Sequence, residues 1–126
     1  MLKKLYNWLA GVEPLPVEEK LALKVMLEEQ EIGMLIADRG EWVFRYCEEF
    51  QRQKEIKPIV DFPDVKKEYR SRTLWPFFAL RIPSPEQPAV REFIRTHPKE
   101  ADEGILLKEF GTRSIANPFR LVPVAV

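Results

Sequence analysis

The sequence predicts a single α+β domain, in which an antiparallel β-meander or small sheet packs against three or four short helices. Three observations support this prediction. Apolar residues alternate along three successive segments in the first half of the chain, which is the period of β-strands. Apolar residues at helical spacing follow in the second half. Eleven prolines and five glycines among 126 residues indicate short elements joined by many turns, and that length suits one domain with its own core.

The first residues form a separate unit in this prediction. Apolar residues recur there at helical spacing, at Leu2, Leu5, Tyr6 and Leu9, and Gly11 is well placed to end that helix. Prolines in the following residues indicate an extended connector. We therefore predict an N-terminal helical appendage and linker over residues 1–20, docking on its own domain or on a partner, and a domain over residues 21–126.

The alternation predicts three antiparallel strands, at Leu23–Leu27, Ile32–Ala37 and Trp42–Tyr46. A polar turn of Glu28, Glu29 and Gln30 separates the first two strands. Asp38, Arg39 and Gly40 make a short hairpin connection, in which the glycine supplies a positive φ. After the meander, residues 47–55 predict a short helix or turn anchored by Phe50, and residues 56–64 an edge strand or extended segment because they contain two prolines.

The second half predicts helices near Leu74–Leu80, Ala89–Arg95 and Glu103–Phe110. Ser84, Pro85 and Gln87 resemble the capped start of the second of these helices. His97-Pro98 ends that helix and Gly111 the next one. The apolar tail from residue 113 onward, interrupted by Pro118 and Pro123, is expected to pack as an extended strap.

The stretch TLWPFFALRIP, Thr73–Pro83, holds the densest aromatic run of the chain. Thr73 is a candidate helix cap, and Pro76 suits the first turn because its missing N–H costs little there. Phe77 and Phe78 are expected in the core. Trp75 falls beside their apolar stripe, so it is predicted to point partly away from the core.

Basic residues flank this run and suggest a binding surface. Trp, Tyr and Arg are typical anchors of protein interfaces, and five such residues are the predicted partner-binding residues: Trp75, Arg72, Tyr69, Arg81 and Arg70. A nucleic-acid contact through the same patch, from Lys66 to Arg81, is the alternative, but twenty basic and twenty acidic residues cancel and provide no overall attraction to nucleic acid.

The sequence offers little for catalysis. His97 is the single histidine, which excludes a multi-histidine metal site, and Cys47 lies beside two glutamates that disfavour a thiolate. The glycines are too scattered for a phosphate-binding loop. We therefore expect no catalytic residue, metal, cofactor or small-molecule substrate. The lone cysteine fits a reducing cytoplasm, and no apolar run is long enough for a membrane span.

Two segments carry a resemblance to a known family. LKVMLEEQEIGMLIADRGEWVFRY resembles the opening meander of the N-terminal subdomain of HipA-type Ser/Thr kinase toxins, and TLWPFFALRIPSP resembles that family's Phe-Phe helix and following turn. The resemblance covers residues 23–111. It departs from the family where Leu80 replaces the usual asparagine and Ser84-Pro85 the usual Pro-Glu-Gly turn.

The sequence contains none of the kinase's own motifs: no Gly-rich loop, catalytic Asp/Asn loop or metal-binding Asp motif. A free-standing copy of the subdomain is similar to the HipS antitoxins of three-part HipBST systems. The resemblance implies a non-enzymatic protein that binds and inhibits a separate HipT-like kinase, with a HipB-like helix-turn-helix DNA-binding protein as a further partner. The implied alternative is an accessory module that stabilises such a repressor complex.

Overall fold

The computed structural model describes residues 20–98, 102–114 and 117–124. The predicted appendage therefore lies outside the described residues, apart from Lys20. The described elements, in chain order, are β1 (Leu21–Leu27), β2 (Gln30–Asp38), β3 (Glu41–Tyr46), α1 (Glu48–Arg52), β4 (Tyr69–Ser71), α2 (Pro76–Ala79), α3 (Pro88–Thr96), α4 (Glu103–Phe110) and β5 (Phe119–Val124).

The five described strands form one antiparallel sheet in the order β4-β3-β2-β1-β5. The predicted α+β class and the β1–β2–β3 meander are confirmed. The hairpin between β2 and β3 turns at Arg39 and Gly40, whose φ angles are 54° and 79°. Two successive positive φ angles are typical of the two-residue turn that matches strand twist.

One face of the sheet carries the core. Phe44 of β3 contacts Tyr46, Phe62 and Phe78, with ring centroids 4.5 to 5.8 Å apart. The buried Tyr46 hydroxyl donates a hydrogen bond of 2.7 Å to the Phe62 carbonyl and accepts one of 2.9 Å from the Ile59 N–H. Burial raises the pKa of Tyr46 to about 12, so the hydroxyl keeps its proton. A smaller cluster of Val90, Ile94 and Leu106 joins α3 to α4.

Residues 56–64 form a loop rather than the edge strand that was one of the two predicted options. The Phe62 N–H donates to the Ile59 carbonyl and closes a turn. The Ile59 N–H and the Phe62 carbonyl both hydrogen-bond to the Tyr46 hydroxyl, so these backbone groups do not pair with a neighbouring strand. The strand beside β3 is instead β4, three residues that the sequence analysis missed. Very short edge strands carry too little periodicity to be recognised from sequence.

Two predicted helix caps are wrong. The N-cap of α2 is Trp75, and the Thr73 N–H instead donates to the Ser71 hydroxyl at 3.1 Å. The N-cap of α3 is Gln87, followed by Pro88, whereas the Ser84 hydroxyl accepts from the Glu86 N–H in the preceding turn. In both helices a proline in the first turn, with its fixed φ, sets the start without a side-chain cap.

The tail is more regular than a strap. It forms β5, which pairs with β1 along six residues. Pro123 is tolerated because β5 lies at the edge of the sheet, where none of the described strands pairs with its outer side. The Leu121 N–H on that open side donates to the Thr112 carbonyl at 2.8 Å.

Candidate partner-binding site

The helix α2 is one turn long and is held by its side chains. Phe78 is fully buried against Phe44 and Phe62, at centroid distances of 5.8 and 5.9 Å. The Phe78 and Ala79 N–H groups both donate to the Trp75 carbonyl at 2.9 Å. A helix this short is not stable alone, so the buried Phe78 fixes its place on the sheet.

Trp75 lies at the start of this helix and is half-buried. Its indole meets the Phe62 ring edge-on, with centroids 5.1 Å apart and planes at 88°. This contact anchors the ring to the core, and part of the side chain is accessible. Trp75 was predicted to point partly away from the core on helical spacing, but it precedes the helix with extended backbone and packs against the main core cluster.

The accessible side of α2 is apolar. Pro76 and Leu80 lie four residues apart, on one face of the turn, and both are exposed. Leu80 is 82% exposed, and Val60 is the other exposed large hydrophobic residue in the described part of the chain. Trp75, Pro76 and Leu80 together define what we call the α2 surface. Exposed apolar side chains grouped beside a half-buried tryptophan are typical of interaction sites.

Arg72 and Tyr69 lie just before the α2 surface in sequence. Arg72 is exposed, three residues before Trp75. Tyr69 is half-buried, meets the Phe62 ring edge-on at 5.0 Å, and accepts a hydrogen bond from the Asp64 N–H at 2.9 Å. The ammonium group of Lys67 lies 5.0 Å from the Tyr69 ring centroid. Tyr69 therefore has a structural role in ordering the loop before β4.

Arg70 faces the opposite side of the sheet from Tyr69. In the register of β3 and β4, Tyr69 pairs with the buried Phe44, whereas Arg70 pairs with Val43. Neighbouring residues of a strand point to opposite faces. The Arg70 guanidinium contacts Glu41 at 2.6 Å and Glu68 at 2.9 Å. Its charge is therefore shared with two carboxylates away from the α2 surface.

Arg81 is the fifth predicted residue, and it is buried. Only 5% of it is exposed, and its Nη2 donates to the Asn117 side-chain oxygen at 2.6 Å and the Phe119 carbonyl at 2.8 Å. Burial lowers the pKa of Arg81, and its Nε and Nη1 atoms have no hydrogen-bond partner among the described residues. Arg81 thus ties the end of α2 to the start of β5. The five predicted residues do not form one patch, because only Trp75 and Arg72 flank the exposed start of α2.

Glu103 was not predicted as important, yet it is the other buried charged residue among those described. It is 9% exposed at the start of α4, and its carboxylate accepts hydrogen bonds from the Trp42 side chain and the Leu74 backbone. Burial, the largest effect, raises its pKa to about 7; these hydrogen bonds oppose the rise, and the nearby charge of Asp102 adds to it. An acidic residue in a first helical turn normally indicates only a favourable interaction with the helix dipole, so its burial could not be predicted from local sequence.

The described residues contain no group of three or more His, Cys, Asp or Glu side chains placed to hold a metal ion. The Cys47 thiol donates to the Glu31 carbonyl at 3.2 Å, and the His97 ring stacks on Phe93 with centroids 4.5 Å apart. Both side chains therefore have structural contacts. None of the helices in the described ranges is both long and apolar enough to cross a membrane.

The fold of this chain is similar to that of a known protein domain. Among solved structures, the chain is similar to one described as the N-terminal domain of HipA toxin, with a TM-score of 0.58 and 20% sequence identity. The match covers 86% of this chain and 97% of that chain. A search of curated proteins found no match. A family model described as HipA N-terminal domain matches residues 23–115, which is most of the chain. The protein therefore belongs to the HipA N-terminal domain family.

Proposed function

We propose that this protein is a non-enzymatic, antitoxin-like component of a toxin–antitoxin system that binds and inhibits a separate HipT-like Ser/Thr kinase. Family membership supports the toxin–antitoxin context. The observation that favours a binding role most is the α2 surface, where Trp75, Pro76 and Leu80 are accessible on a turn fixed from beneath by Phe78.

Rigidity matters for this role. A side chain that is already ordered loses less entropy on binding than a mobile one. The edge-on contact with Phe62 holds the Trp75 ring before any partner arrives. A preordered tryptophan beside exposed leucine and proline suits insertion into an apolar cleft, such as one between the two lobes of a kinase. The protein would then inhibit by occupying that cleft, without chemistry of its own.

The charge around the surface is consistent with a protein partner. Arg72 is exposed and can contribute at the rim of an interface, where charge mainly accelerates association. The alternative of nucleic-acid binding through Lys66 to Arg81 receives less support. Arg81 is buried, Arg70 is paired with Glu41 and Glu68, and Tyr69 packs edge-on against Phe62 within the domain. A HipB-like protein remains part of the proposal as a third component of the complex.

Co-expression tests the proposal. A HipT-like kinase encoded beside this protein is expressed alone, with the wild-type protein, and with Leu80→Asp. We expect the kinase alone to arrest growth, the wild-type protein to restore it, and the exposed-site variant to restore it poorly. Continued arrest with both wild-type proteins present in the soluble fraction would contradict the proposal. Purified protein alone is expected to bind no ATP by calorimetry.

A further inference from the structure

The face of the sheet opposite the core, which we call the outer face, carries a continuous apolar row. Its members are register partners on β3, β2, β1 and β5, namely Val43, Ile36, Ala22 and Val124. Phe44, the neighbour of Val43 on β3, points into the core and contacts Phe78 of α2. The outer row therefore crosses four adjacent strands on the side of the sheet away from α2.

Two members of the outer row are buried without belonging to the described core. Ala22 is 9% exposed and Val43 is 8% exposed, yet neither is part of the two hydrophobic clusters of the described residues. Ile36 and Val124, on either side of Ala22 in the register, are half-buried. A sheet face with such an apolar row is normally packed against another element.

The charged side chains around the outer row are paired with one another. Three ion pairs, with N–O distances of 3.6, 3.7 and 2.6 Å, are Lys24–Glu31, Arg45–Glu68 and Arg70–Glu41. Because the charges within each pair offset each other, they provide little net attraction for a charged ligand. The outer row therefore offers an apolar contact inside a neutral rim.

The chain enters the sheet beside the outer row. Lys20, the first described residue, lines a cavity of about 430 Å³ together with Ile36 and Val43. Residues 1–19 therefore join the domain at the outer face. Their sequence carries an apolar stripe at helical spacing, which consists of Leu2, Leu5, Tyr6 and Leu9.

We propose that residues 1–19 cover the outer face of their own domain, with this stripe packed across the outer row. The two lengths match. A helix over residues 2–9 is about 12 Å long, and the outer row spans three strand spacings, about 14 Å. This inference goes beyond the proposed function and does not depend on a kinase partner, because α2 lies on the opposite side of the sheet.

The connection to β1 favours this occupant over a second copy or a separate partner. Residues 12–19, which include Pro14 and Pro16, can extend over at most about 26 Å, enough to place the stripe anywhere along the outer row. A short tether gives the stripe an effective concentration on the order of millimolar at the row. A second copy reaches that concentration only in very concentrated solution, so the chain's own segment occupies the row first.

Nuclear magnetic resonance of the full-length protein with ¹³C-labelled methyl groups tests the contact. We expect nuclear Overhauser contacts from the Leu5 methyl groups and the Tyr6 ring to the methyl groups of the outer row. A sample that mixes labelled and unlabelled chains should show no such contacts between copies. The absence of these contacts, contacts to the Leu80 methyl groups in their place, or contacts between copies would overturn the proposal.

A soluble paramagnetic probe supplies the second readout. Leu5→Asp places a charge in the stripe, so relaxation enhancement at the Ile36 and Val43 methyl groups should rise about twofold or more. Asn7→Asp adds the same charge in the same segment but off the stripe, and this matched control should behave as the wild type. Leu35, which is buried in the core, should stay protected in both variants and so report that the domain is folded. Unchanged enhancement in Leu5→Asp, or equal increases in both variants, would overturn the proposal.

Discussion

The Trp75 indole meets the Phe62 ring edge-on at 5.1 Å, so the candidate anchor of the interface is also attached to the core. Phe62 in turn contacts Phe44 and Phe78 and is fully buried. The interface side chain and the core side chains therefore form one connected aromatic group. Substitution of a fully buried member of this group should mainly lower stability, whereas substitution of the partly exposed Trp75 should mainly weaken binding.

Trp75→Ala is expected to leave the domain folded while weakening the kinase complex. Loss of the contact with Phe62 should lower the free energy of unfolding by about 1 kcal/mol, the value of a typical aromatic pair. Loss of an interface anchor should cost about 2 kcal/mol or more of binding, roughly 30-fold in affinity. Chemical denaturation and calorimetry measure the two effects. Unchanged affinity would show that Trp75 is a core residue only.

Phe78→Ala provides the opposite case. Its side chain is fully buried, and its removal leaves a cavity beneath α2. We expect the free energy of unfolding to fall by about 3 to 5 kcal/mol. Binding, measured at a temperature where the variant remains folded, should decrease less than for Trp75→Ala. A variant with wild-type stability would mean that α2 does not depend on this contact.

Leu80→Asp tests the α2 surface without disturbing the core. Because Leu80 is 82% exposed, the melting temperature should stay within a few degrees of the wild-type value. Kinase affinity should fall about tenfold or more, since the substitution places a charge in an apolar interface. Val60→Asp makes the same type of change at a residue that is 90% exposed, and it should bind within twofold of wild type. A wild-type affinity for Leu80→Asp would exclude this surface.

Stability should depend on pH through Glu103. Its pKa is about 7 in the folded protein and near 4.5 when unfolded, so the folded state binds this proton more tightly. The associated stability is fully present below pH 4.5 and is lost as the pH rises through 7. A difference of this size corresponds to about 3 kcal/mol as an upper value. Denaturation between pH 5 and 8 should therefore show a loss that Glu103→Gln removes and that Glu109→Gln, at an exposed position of the same helix, keeps; equal slopes in all three proteins would contradict it.

The sequence predicted the meander well, because its signals are local. Alternation marked the strands, and Gly40 marked the hairpin, where the observed φ is positive. The helix over Glu103–Phe110 was also predicted with its observed bounds. In each case the pattern that defines the element lies within it, so no distant partner had to be known.

The candidate site was harder to predict, because distant contacts decide it. Arg81 hydrogen-bonds to Asn117 and Phe119, which lie 36 and 38 residues later in the chain. The residues next to Arg81 in sequence do not indicate these contacts, so its burial could not be predicted. Tyr69 and Arg70 lie on opposite faces because they are neighbours in a β-strand, and that strand is too short to be recognised from sequence. Trp75 is the N-cap of α2 with extended backbone, so the helical spacing used in its prediction does not apply to it, and its contact with Phe62 from the preceding loop holds its ring instead.

The final prediction concerns Arg81 and Arg72, which were both predicted to bind a partner. In the structure Arg81 is buried, whereas Arg72 is exposed. Arg81→Ala removes the donor to the Phe119 carbonyl and the Asn117 side chain, so the free energy of unfolding should fall by about 2 to 4 kcal/mol. Its kinase affinity, measured on folded protein, should stay near wild type. Arg72→Ala should leave stability unchanged, since Arg72 is exposed, and should slow association most at low salt. Stopped-flow kinetics beside denaturation curves separate the two. An Arg81→Ala protein that is stable but binds the kinase more weakly would show that Arg81 contacts the partner. A residue needed only for the fold cannot affect binding while the fold is intact.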